Sequence, residues 1–329
     1  MSENRKIAFR EALREAMVEE MRKDETVFLM GEEVAEYNGA YKVSQGMLDE
    51  FGAKRVIDTP IAELGFTGIG VGAAINGLKP IVEFMPWNFA LRAFDQIVNS
   101  AAKMLSMSGG QYPIPIVFRG ATGSAGQLGA QHSQSFDNWL ANTPGLKVIV
   151  PSNPYDAKGL LKSAIVDPDP VVFMESELMY GDEGEVPEEE YTIEIGKADI
   201  KREGNDVTIA GYGKMFKEVM KAAELLEKDD ISAECIDLRS LKPLDYPTIV
   251  ESVKKTNRLV FVEESWPLSS ISSEVTYQVQ KHAFDFLDAP IKRVTGKDVP
   301  LGYAPSFVEE FLPNAERIAE KAKEALYIA

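Results

Sequence analysis

Short apolar runs recur along the first half of the sequence, and they constrain the fold more than any other feature. Each run is four or five residues long, and stretches long enough for helices separate them. The runs are Arg55–Asp58, Ile81–Phe84, Ile114–Phe118, Leu146–Val150 and Val171–Met174. Uninterrupted apolar runs rich in Val and Ile are typical of strands that are buried on both faces. The alternation of short apolar runs with helix-length stretches therefore predicts a parallel α/β sheet.

The sequence divides at an acidic segment. Gly181–Glu190 contains six acidic residues and no basic one, a composition typical of a connection between domains. Beyond it the alternation resumes, with predicted strands at Val207–Ala210, Ala233–Leu238 and Leu259–Val262 and a predicted helix at Lys214–Lys228. A chain of 329 residues is long enough for two domains. We therefore predict two parallel-sheet α/β domains, residues 1–190 and 191–329.

Composition excludes several classes of protein. Lys and Arg number 35 and Asp and Glu number 52, so the net charge of −17 repels nucleic acid and anionic lipid and favours a basic protein partner. The sequence lacks both an apolar run long enough to span a membrane and the apolar stretch of a secretory signal. The single cysteine, Cys235, cannot form an internal disulfide. We expect a cytoplasmic protein that binds neither nucleic acid nor membrane.

The segment Asp58–Phe66 carries the first candidate catalytic residue. Pro60 can open a helix directly after a strand, which places Glu63 in the first helical turn. Taken alone, Glu63 could simply complement the helix dipole, an effect under about 1 kcal/mol. The following window, residues 65–77, holds five glycines, and so glycine-rich a helix requires close packing within the subunit or across an interface. Such packing would shield Glu63 from water, where it can hold a proton.

Two further segments follow predicted strands. Met85–Phe89 places aromatic side chains at a carboxyl strand end, where open α/β sheets bind ligands; the alternative is an ordinary core cluster. His132 lies in the polar loop Gly120–Ser135, where a catalytic role and simple hydrogen bonding to its neighbours are both open. His282 ends a helix and is assigned no chemical role. Neither a Rossmann fingerprint nor a P-loop occurs.

Taken together, these segments resemble the β subunits of pyruvate dehydrogenase, the thiamine-diphosphate-dependent decarboxylase component of the 2-oxo acid dehydrogenase complexes. The resemblance covers nearly the whole chain, and the stretches that carry it are Gly31–Val34, Gly39–Val43, Asp58–Glu63, Asp95–Lys103, Ala130–Gln134 and Pro144–Val148. The resemblance implies a thiamine-diphosphate pyrimidine-binding domain followed by a transketolase-like C-terminal domain. It also implies that thiamine diphosphate is held between this chain and an α subunit, in an assembly of two α and two β chains.

The resemblance assigns roles to individual residues. It implies that Glu63 is catalytic and hydrogen-bonds the aminopyrimidine ring nitrogen of the cofactor, and that Phe89 stacks on the same ring. Ile61 and Met85 would line this ring with apolar side chains. His132 would be the second catalytic residue, which hydrogen-bonds or shuttles protons around the substrate or the incoming lipoyl group.

Two ions are implied as well. Backbone carbonyls would provide most of the ligands of a structural potassium ion, and they belong to Ile116, Ala164, Ile165, Asp167 and Asp169. Here the chain departs from the family, because Asp169 replaces the commoner Asn and follows Pro168. The Gly-Asp-Gly motif that binds magnesium and the diphosphate is absent, and Gly181–Gly184 is the nearest sequence. Mg²⁺ would therefore be bound by the α chain, and we expect the isolated chain to be inactive.

The implied function is the oxidative decarboxylation of pyruvate, with reductive acetylation of a lipoyl group. Glu177–Gly181 and Phe84–Phe89 resemble the members of the family that act on pyruvate, so the resemblance implies pyruvate as the substrate. Asp288 and the terminal carboxylate of Ala329 would dock the basic peripheral subunit-binding domain of the dihydrolipoyl acyltransferase, whose lipoyl domain is the second partner. Two alternatives stay open: a β subunit of a branched-chain 2-oxo acid or acetoin dehydrogenase, and a non-catalytic α/β scaffold in which Glu63 is only a helix-end acid.

Overall fold

The computed structural model of the protein describes residues 5–328. The strands are β1 Arg5–Ala8, β2 Val27–Gly31, β3 Val56–Asp58, β4 Lys79–Pro86, β5 Val117–Ala121, β6 Lys147–Ile149, β7 Val171–Glu175, β8 Glu183–Val186, β9 Asp199–Arg202, β10 Val207–Gly211, β11 Ala233–Asp237, β12 Ser240–Lys242, β13 Leu259–Val262 and β14 Lys292–Val294. The α-helices are α1 Phe9–Lys23, α2 Met47–Phe51, α3 Glu63–Ile75, α4 Ala102–Met107, α5 Asp137–Ala141, α6 Pro154–Val166, α7 Met215–Glu227, α8 Tyr246–Thr256, α9 Ile271–Ala283, α10 Pro305–Phe311 and α11 Ala315–Ala325. Shorter 3-10 or π segments are Phe89–Ala93, Gln96–Ala101, Ala130–His132, Glu177–Met179 and Phe284–Phe286.

The first sheet has seven strands in the order β12-β6-β7-β5-β4-β2-β3. All neighbours are parallel except β12, which pairs antiparallel with β6 at one edge. Helices cover both faces, so β2, β5 and β7 are buried along their whole length. Gly31 on β2 lies opposite Asp58 on β3 and Glu83 on β4, and Glu83 lies opposite Arg119 on β5. These four strands therefore end close together at one edge of the sheet.

The second sheet has five strands in the order β14-β13-β10-β11-β9. It is parallel except for β9, which runs antiparallel to β11. Helices α7 and α11 pack on one face, and α8 and α9 pack on the other. Helix termini follow local sequence rules, since Asn314 caps α11 by accepting the Arg317 N–H at 2.9 Å. Within residues 5–328, no helix is long and apolar enough to cross a membrane.

The predicted fold class of two α/β domains built on mainly parallel sheets is confirmed, with three corrections. The predicted strand over Ile114–Phe118 was placed too early, because β5 begins only at Val117. The acidic segment is not free of structure, since its β8 pairs antiparallel with β1. The antiparallel edge strands were not predicted, and β12 joins the first sheet although it lies beyond residue 190. The division between residues 190 and 191 stays a prediction.

Candidate active site

The carboxyl ends of β2, β3, β4 and β5 form one edge of the first sheet, and the predicted site residues follow these ends. Glu63 begins α3 after β3, and two residues separate the end of β4 from the 3-10 turn that Phe89 begins. His132 ends a second 3-10 turn in the loop after β5. Because parallel strands direct their carboxyl ends to the same side, residues far apart in the sequence meet at this edge.

The Glu63 side chain is removed from solvent, with only 5% of the residue exposed. Within residues 5–328 its carboxylate forms no hydrogen bond or ion pair. A second carboxylate lies nearby, because Glu32 follows β2 at the same edge and is 6% exposed. Burial raises the pKa of Glu32, and the negative charge of Glu63 raises this pKa further. Glu32 Oε1 is also buried without a hydrogen-bond partner.

Helix α3 packs closely, as its glycines predict. The surface that it packs against is the first sheet. A Cβ atom on Gly70 would lie 2.9 Å from Val82 Cγ2 and 3.3 Å from Ile116 Cδ1, so only glycine fits this contact without rearrangement. The outer side of α3 is open: Ile69 is 66% exposed, and Ile61, just before the helix, is 85% exposed. The helix thus buries Glu63 while it leaves an apolar surface beside it uncovered.

The aromatic segment after β4 divides into a core residue and a site residue. Trp87 is fully buried in the hydrophobic core beneath the edge. Phe89 is half-buried, and its ring meets the His132 imidazole edge to face, with 5.3 Å between ring centroids. Met85 does not follow the strand as predicted, because β4 continues through Pro86 and keeps Met85 half-buried near its end. The structure therefore brings the two predicted segments around Phe89 and His132 into direct contact.

Comparison with known proteins identifies the family. Residues 5–182 match the family model of the transketolase pyrimidine-binding domain, and residues 196–318 match that of the transketolase C-terminal domain. The chain is 56% identical to the pyruvate dehydrogenase E1 component subunit beta of Rhizobium meliloti (strain 1021), over 97% of this chain and 69% of the relative. It is 54% identical to the same subunit of Rickettsia felis, over 98% of both chains. The chain belongs to the family of pyruvate dehydrogenase E1 component β subunits.

A plant relative agrees with this assignment, and a solved structure agrees with the fold. The mitochondrial subunit beta-2 of Oryza sativa subsp. japonica is 54% identical, over 99% of this chain and 88% of its own. A solved structure described as a split gene transketolase, an inactive beta4 tetramer, superposes with a TM-score of 0.81 at 24% identity, and covers 98% of this chain and 99% of its own. This last likeness supports the transketolase-like fold alone.

The predicted potassium site lies where α6 ends and β7 begins. Its five residues are Ile116, Ala164, Ile165, Asp167 and Asp169. The carbonyls of Ile116 and Ala164 each accept one backbone N–H and retain a second lone pair. Lys147 Nζ lies 2.7 Å from Asp167 Oδ1 and 3.1 Å from Asp169 Oδ2, so one ammonium group pairs with both carboxylates and offsets part of their charge. Within residues 5–328 no cluster of His, Cys, Asp or Glu side chains could hold a metal ion. The potassium site stays a prediction.

The predicted partner-docking residues lie at the far end of the C-terminal domain. Asp288 is exposed and lies 3.4 Å from the guanidinium of Arg258. Two exposed aromatic side chains, Phe284 and Phe286, precede it in the sequence. The Tyr327 hydroxyl lies 3.5 Å from the Asp288 carbonyl oxygen, which brings the end of the described chain to this surface. Ala329 lies outside the described residues.

Glu32 is the site residue that the sequence reasoning did not select. It belongs to one of the stretches that resemble the β-subunit family, and it follows the short apolar run Val27–Met30, which also predicts a strand, just as Glu63 follows Arg55–Asp58. What was missing was the strand order, since only the adjacency of β2 and β3 brings the two carboxylates together. Comparing the acids that follow each predicted strand would have found it.

Proposed function

We propose that this chain is the β subunit of a thiamine-diphosphate-dependent pyruvate dehydrogenase, and that Glu63 and His132 are its catalytic residues. With an α subunit it decarboxylates pyruvate oxidatively and transfers the acetyl group to a lipoyl group. The observation that carries the proposal is Glu63, a residue that is 5% exposed and whose carboxylate has no hydrogen-bond partner within residues 5–328. Buried carboxylates without partners are uncommon in folded proteins, and a ligand that supplies the missing hydrogen bond explains this one.

The residues at the edge fit the cofactor. Thiamine diphosphate, when bound, supplies the reactive carbon that attacks the keto group and accepts the electrons released by decarboxylation. Glu63 holds or shares a proton at an aminopyrimidine ring nitrogen, and its dry surroundings strengthen that hydrogen bond. Glu32 adds a second carboxylate, whose raised pKa favours keeping a proton within the pair.

The remaining edge residues bind the ring and the substrate. Phe89 offers the face of its ring to the aminopyrimidine, and Met85 and Ile61 cover its borders with apolar surface. His132, held against Phe89 with ring centroids 5.3 Å apart, donates or accepts protons around the keto acid and the lipoyl group. Its loop position allows the imidazole to reach a substrate that enters from solvent.

We propose that the α subunit binds Mg²⁺ and the diphosphate, since this chain lacks the Gly-Asp-Gly motif for them. Potassium would be bound by the backbone carbonyls of Ile116, Ala164, Ile165, Asp167 and Asp169. Lys147 contacts the side-chain carboxylates of Asp167 and Asp169 and leaves these carbonyls available. The assembly would contain two α and two β chains in the cytoplasm. Asp288 and the chain terminus at Ala329 would contact the basic peripheral subunit-binding domain of the acyltransferase, a partner that suits a net charge of −17.

The decisive experiment replaces the Glu63 carboxylic acid by an amide of the same shape. Glu63→Gln, assembled with its α chain, should lower pyruvate decarboxylation by at least about 100-fold, because the amide cannot transfer the proton. Assembly, followed by analytical ultracentrifugation, should persist. Glu25→Gln is the matched control, since Glu25 is an exposed acid just before β2, at the opposite end of that strand. Parental activity of Glu63→Gln would favour the scaffold alternative instead.

A comparison of substrates separates pyruvate dehydrogenase from the branched-chain 2-oxo acid and acetoin dehydrogenases, which use the same cofactor chemistry. At equal concentration the parental assembly should decarboxylate pyruvate faster than 3-methyl-2-oxobutanoate, and faster than it cleaves acetoin, which has no carboxylate to lose. Preference for the branched acid or for acetoin would assign the chain to one of those dehydrogenases while leaving the role of Glu63 intact. The two experiments therefore test the chemistry and the substrate independently.

A further inference from the structure

The loop that carries His132 is closed at its base by the first domain. The Thr122 N–H donates to the Glu175 carbonyl at 2.7 Å, and the Gly123 N–H donates to the Gln134 carbonyl at 3.1 Å. These two bonds join the start and the end of the loop to each other and to the sheet. They do not hold the segment between them, residues 124–132, which extends away from the sheet edge.

Two charged residues of the C-terminal domain hold the first residue of this segment. Lys214 Nζ donates to Ser124 Oγ at 2.6 Å and also to the Ser124 carbonyl oxygen. Glu264 Oε1 accepts the Ser124 backbone N–H and lies 2.8 Å from Lys214 Nζ. Every polar group of Ser124 is therefore bonded to one ion pair. We call Lys214 and Glu264 the loop clamp.

The fold of the C-terminal domain explains why these two side chains meet. Lys214 follows β10 and Glu264 follows β13, and these strands are parallel neighbours. Their carboxyl ends therefore point to the same edge, as in the first domain. The edges at the carboxyl ends of the two sheets face each other across the domain interface. Ser124, in the loop after β5, therefore reaches Lys214 after β10 and Glu264 after β13.

Two glycines in the loop allow this close approach. Gly123 has φ +75°, and a Cβ at this position would lie 2.4 Å from Glu264 Oε2. Gly129 has φ +78°, and a Cβ there would lie 2.6 Å from the ring of Tyr303, which also belongs to the C-terminal domain. Side chains at either position would be strained and would collide with the second domain. The C-terminal domain thus contacts the loop on both sides of its exposed tip at residues 126–128.

Stability alone is a weak explanation for the loop clamp. Lys214 is 8% exposed and Ser124 is fully buried, so the ammonium is largely removed from water. Burial lowers the pKa of Lys214, and the Glu264 carboxylate opposes this effect. Apolar residues of similar volume usually stabilise a protein as well as a buried ion pair does, whereas a buried pair fixes one conformation. The conformation fixed here is that of the loop that ends at His132.

We propose that Lys214 and Glu264 are positioning residues that set the loop conformation and thereby hold His132 at the active site. This inference rests on the proposed function for the role of His132. It makes the C-terminal domain a part of the catalytic apparatus although that domain supplies no predicted catalytic residue.

The first test measures the loop directly and requires no activity. In the assembly with the α chain, Lys214→Met should speed hydrogen–deuterium exchange of the amides of residues 124–132 by about tenfold or more, because their anchor is lost. Peptides from β10 and α7 should keep their protection. Ser124→Ala removes only the hydroxyl contact and tests the same point if Lys214→Met fails to fold. Ser163→Ala, which removes hydrogen bonds on α6, is the control. Unchanged exchange of the loop would overturn the proposal.

The second test asks whether the loop clamp acts through His132. Lys214→Met should lower kcat for lipoyl acetylation by roughly tenfold in the parental background and by less than about twofold in a His132→Gln background. Lys214→Arg, which keeps the charge and the donors, should recover part of the activity. An equal loss in both backgrounds would mean that Lys214 does not act through His132. If the parental assembly does not act on pyruvate at all, the proposed function fails, and the exchange experiment still tests the loop clamp.

Discussion

The Arg119 ion triad gives a stability prediction whose size follows from the structure. Arg119 on β5 is 1% exposed and lies between Glu83 on β4 and Glu175 on β7, which are 4% and 2% exposed. Arg119 Nε donates to Glu175 Oε1 at 2.6 Å, and its two Nη atoms contact one carboxylate each. Burial raises the pKa of Glu83, and the positive charge of Arg119 counteracts this rise. Arg119 is thus the cation that pairs with both buried carboxylates.

Arg119→Met should therefore lower the free energy of unfolding by about 3–5 kcal/mol at pH 7, the usual effect of breaking a buried ion pair from one side. The variant can reduce this loss if the carboxylates of Glu83 and Glu175 take up protons. Protonating one ordinary glutamate costs about 3 kcal/mol at pH 7 and under about 1 kcal/mol at pH 5. In the variant the folded-state pKa values lie above the unfolded values, so its stability falls as pH rises through this range. The destabilisation should consequently be smaller at pH 5.

Urea unfolding of the purified chain, followed by tryptophan fluorescence at both pH values, measures this difference. The triple variant Glu83→Gln, Arg119→Met, Glu175→Gln is the control, because it removes all three charges and should recover most of the loss. A loss under about 1 kcal/mol at pH 7 would refute the reasoning. So would an equal loss at pH 5 and pH 7, since the carboxylates would then not be the source of the effect.

Two further predictions concern burial elsewhere in the chain. Burial, together with the charge of Asp156, raises the pKa of Asp237 from 3.8 to about 7. Because the folded-state pKa lies above the unfolded one, the parental chain loses stability as pH rises from about 4 to about 7. The loss is up to about 4 kcal/mol. Asp237→Asn should lack this component, which urea midpoints at pH 5 and pH 7 would show, and an unchanged pH dependence would contradict it. Gly70→Val should cost about 1–3 kcal/mol by overpacking against Val82 and Ile116, whereas Gly72→Ala, with no atom within 4 Å of the added Cβ, should gain up to about 1 kcal/mol of helix propensity. Equal effects of the two substitutions on the thermal midpoint would show that sheet contact does not determine the need for glycine.

The sequence pattern predicted the strands that are buried on both faces and failed where burial is partial. Val171–Met174 and Leu259–Val262 are apolar and fully buried, so a simple apolar run located both strands. Glu183–Val186 alternates exposed and covered residues over only four positions, three of them Glu or Gly. Its pairing with β1 depends on a strand nearly 180 residues earlier in the sequence. No local property of the acidic segment reveals such a partner.

The same distinction applies to the candidate site. Glu63, Phe89 and His132 could be selected because each follows a predicted strand of one parallel sheet, and parallel strands end on one side. The contacts of Lys214 and Glu264 with Ser124 span 90 and 140 residues and cross between domains. Lysine and glutamate are also the residues expected on any solvated surface, so their types carry no signal. Only the structure shows that here they are largely buried.

The edge around Glu63 has the form of a site that a second chain completes. Glu63 is buried and unpartnered within residues 5–328, yet Ile61, Leu64 and Ile69 beside it are at least half exposed. If α3 made all of its contacts within this chain, we would expect its buried acid to have a hydrogen-bond partner and the large apolar side chains beside it to be covered. A partner surface that covered these three side chains would exclude water from the carboxylate and strengthen its hydrogen bond to a ligand. Binding of the α subunit would then complete the shielding that the fold of this chain begins, which is a second reason, besides the missing Gly-Asp-Gly motif, to expect this chain to be inactive alone.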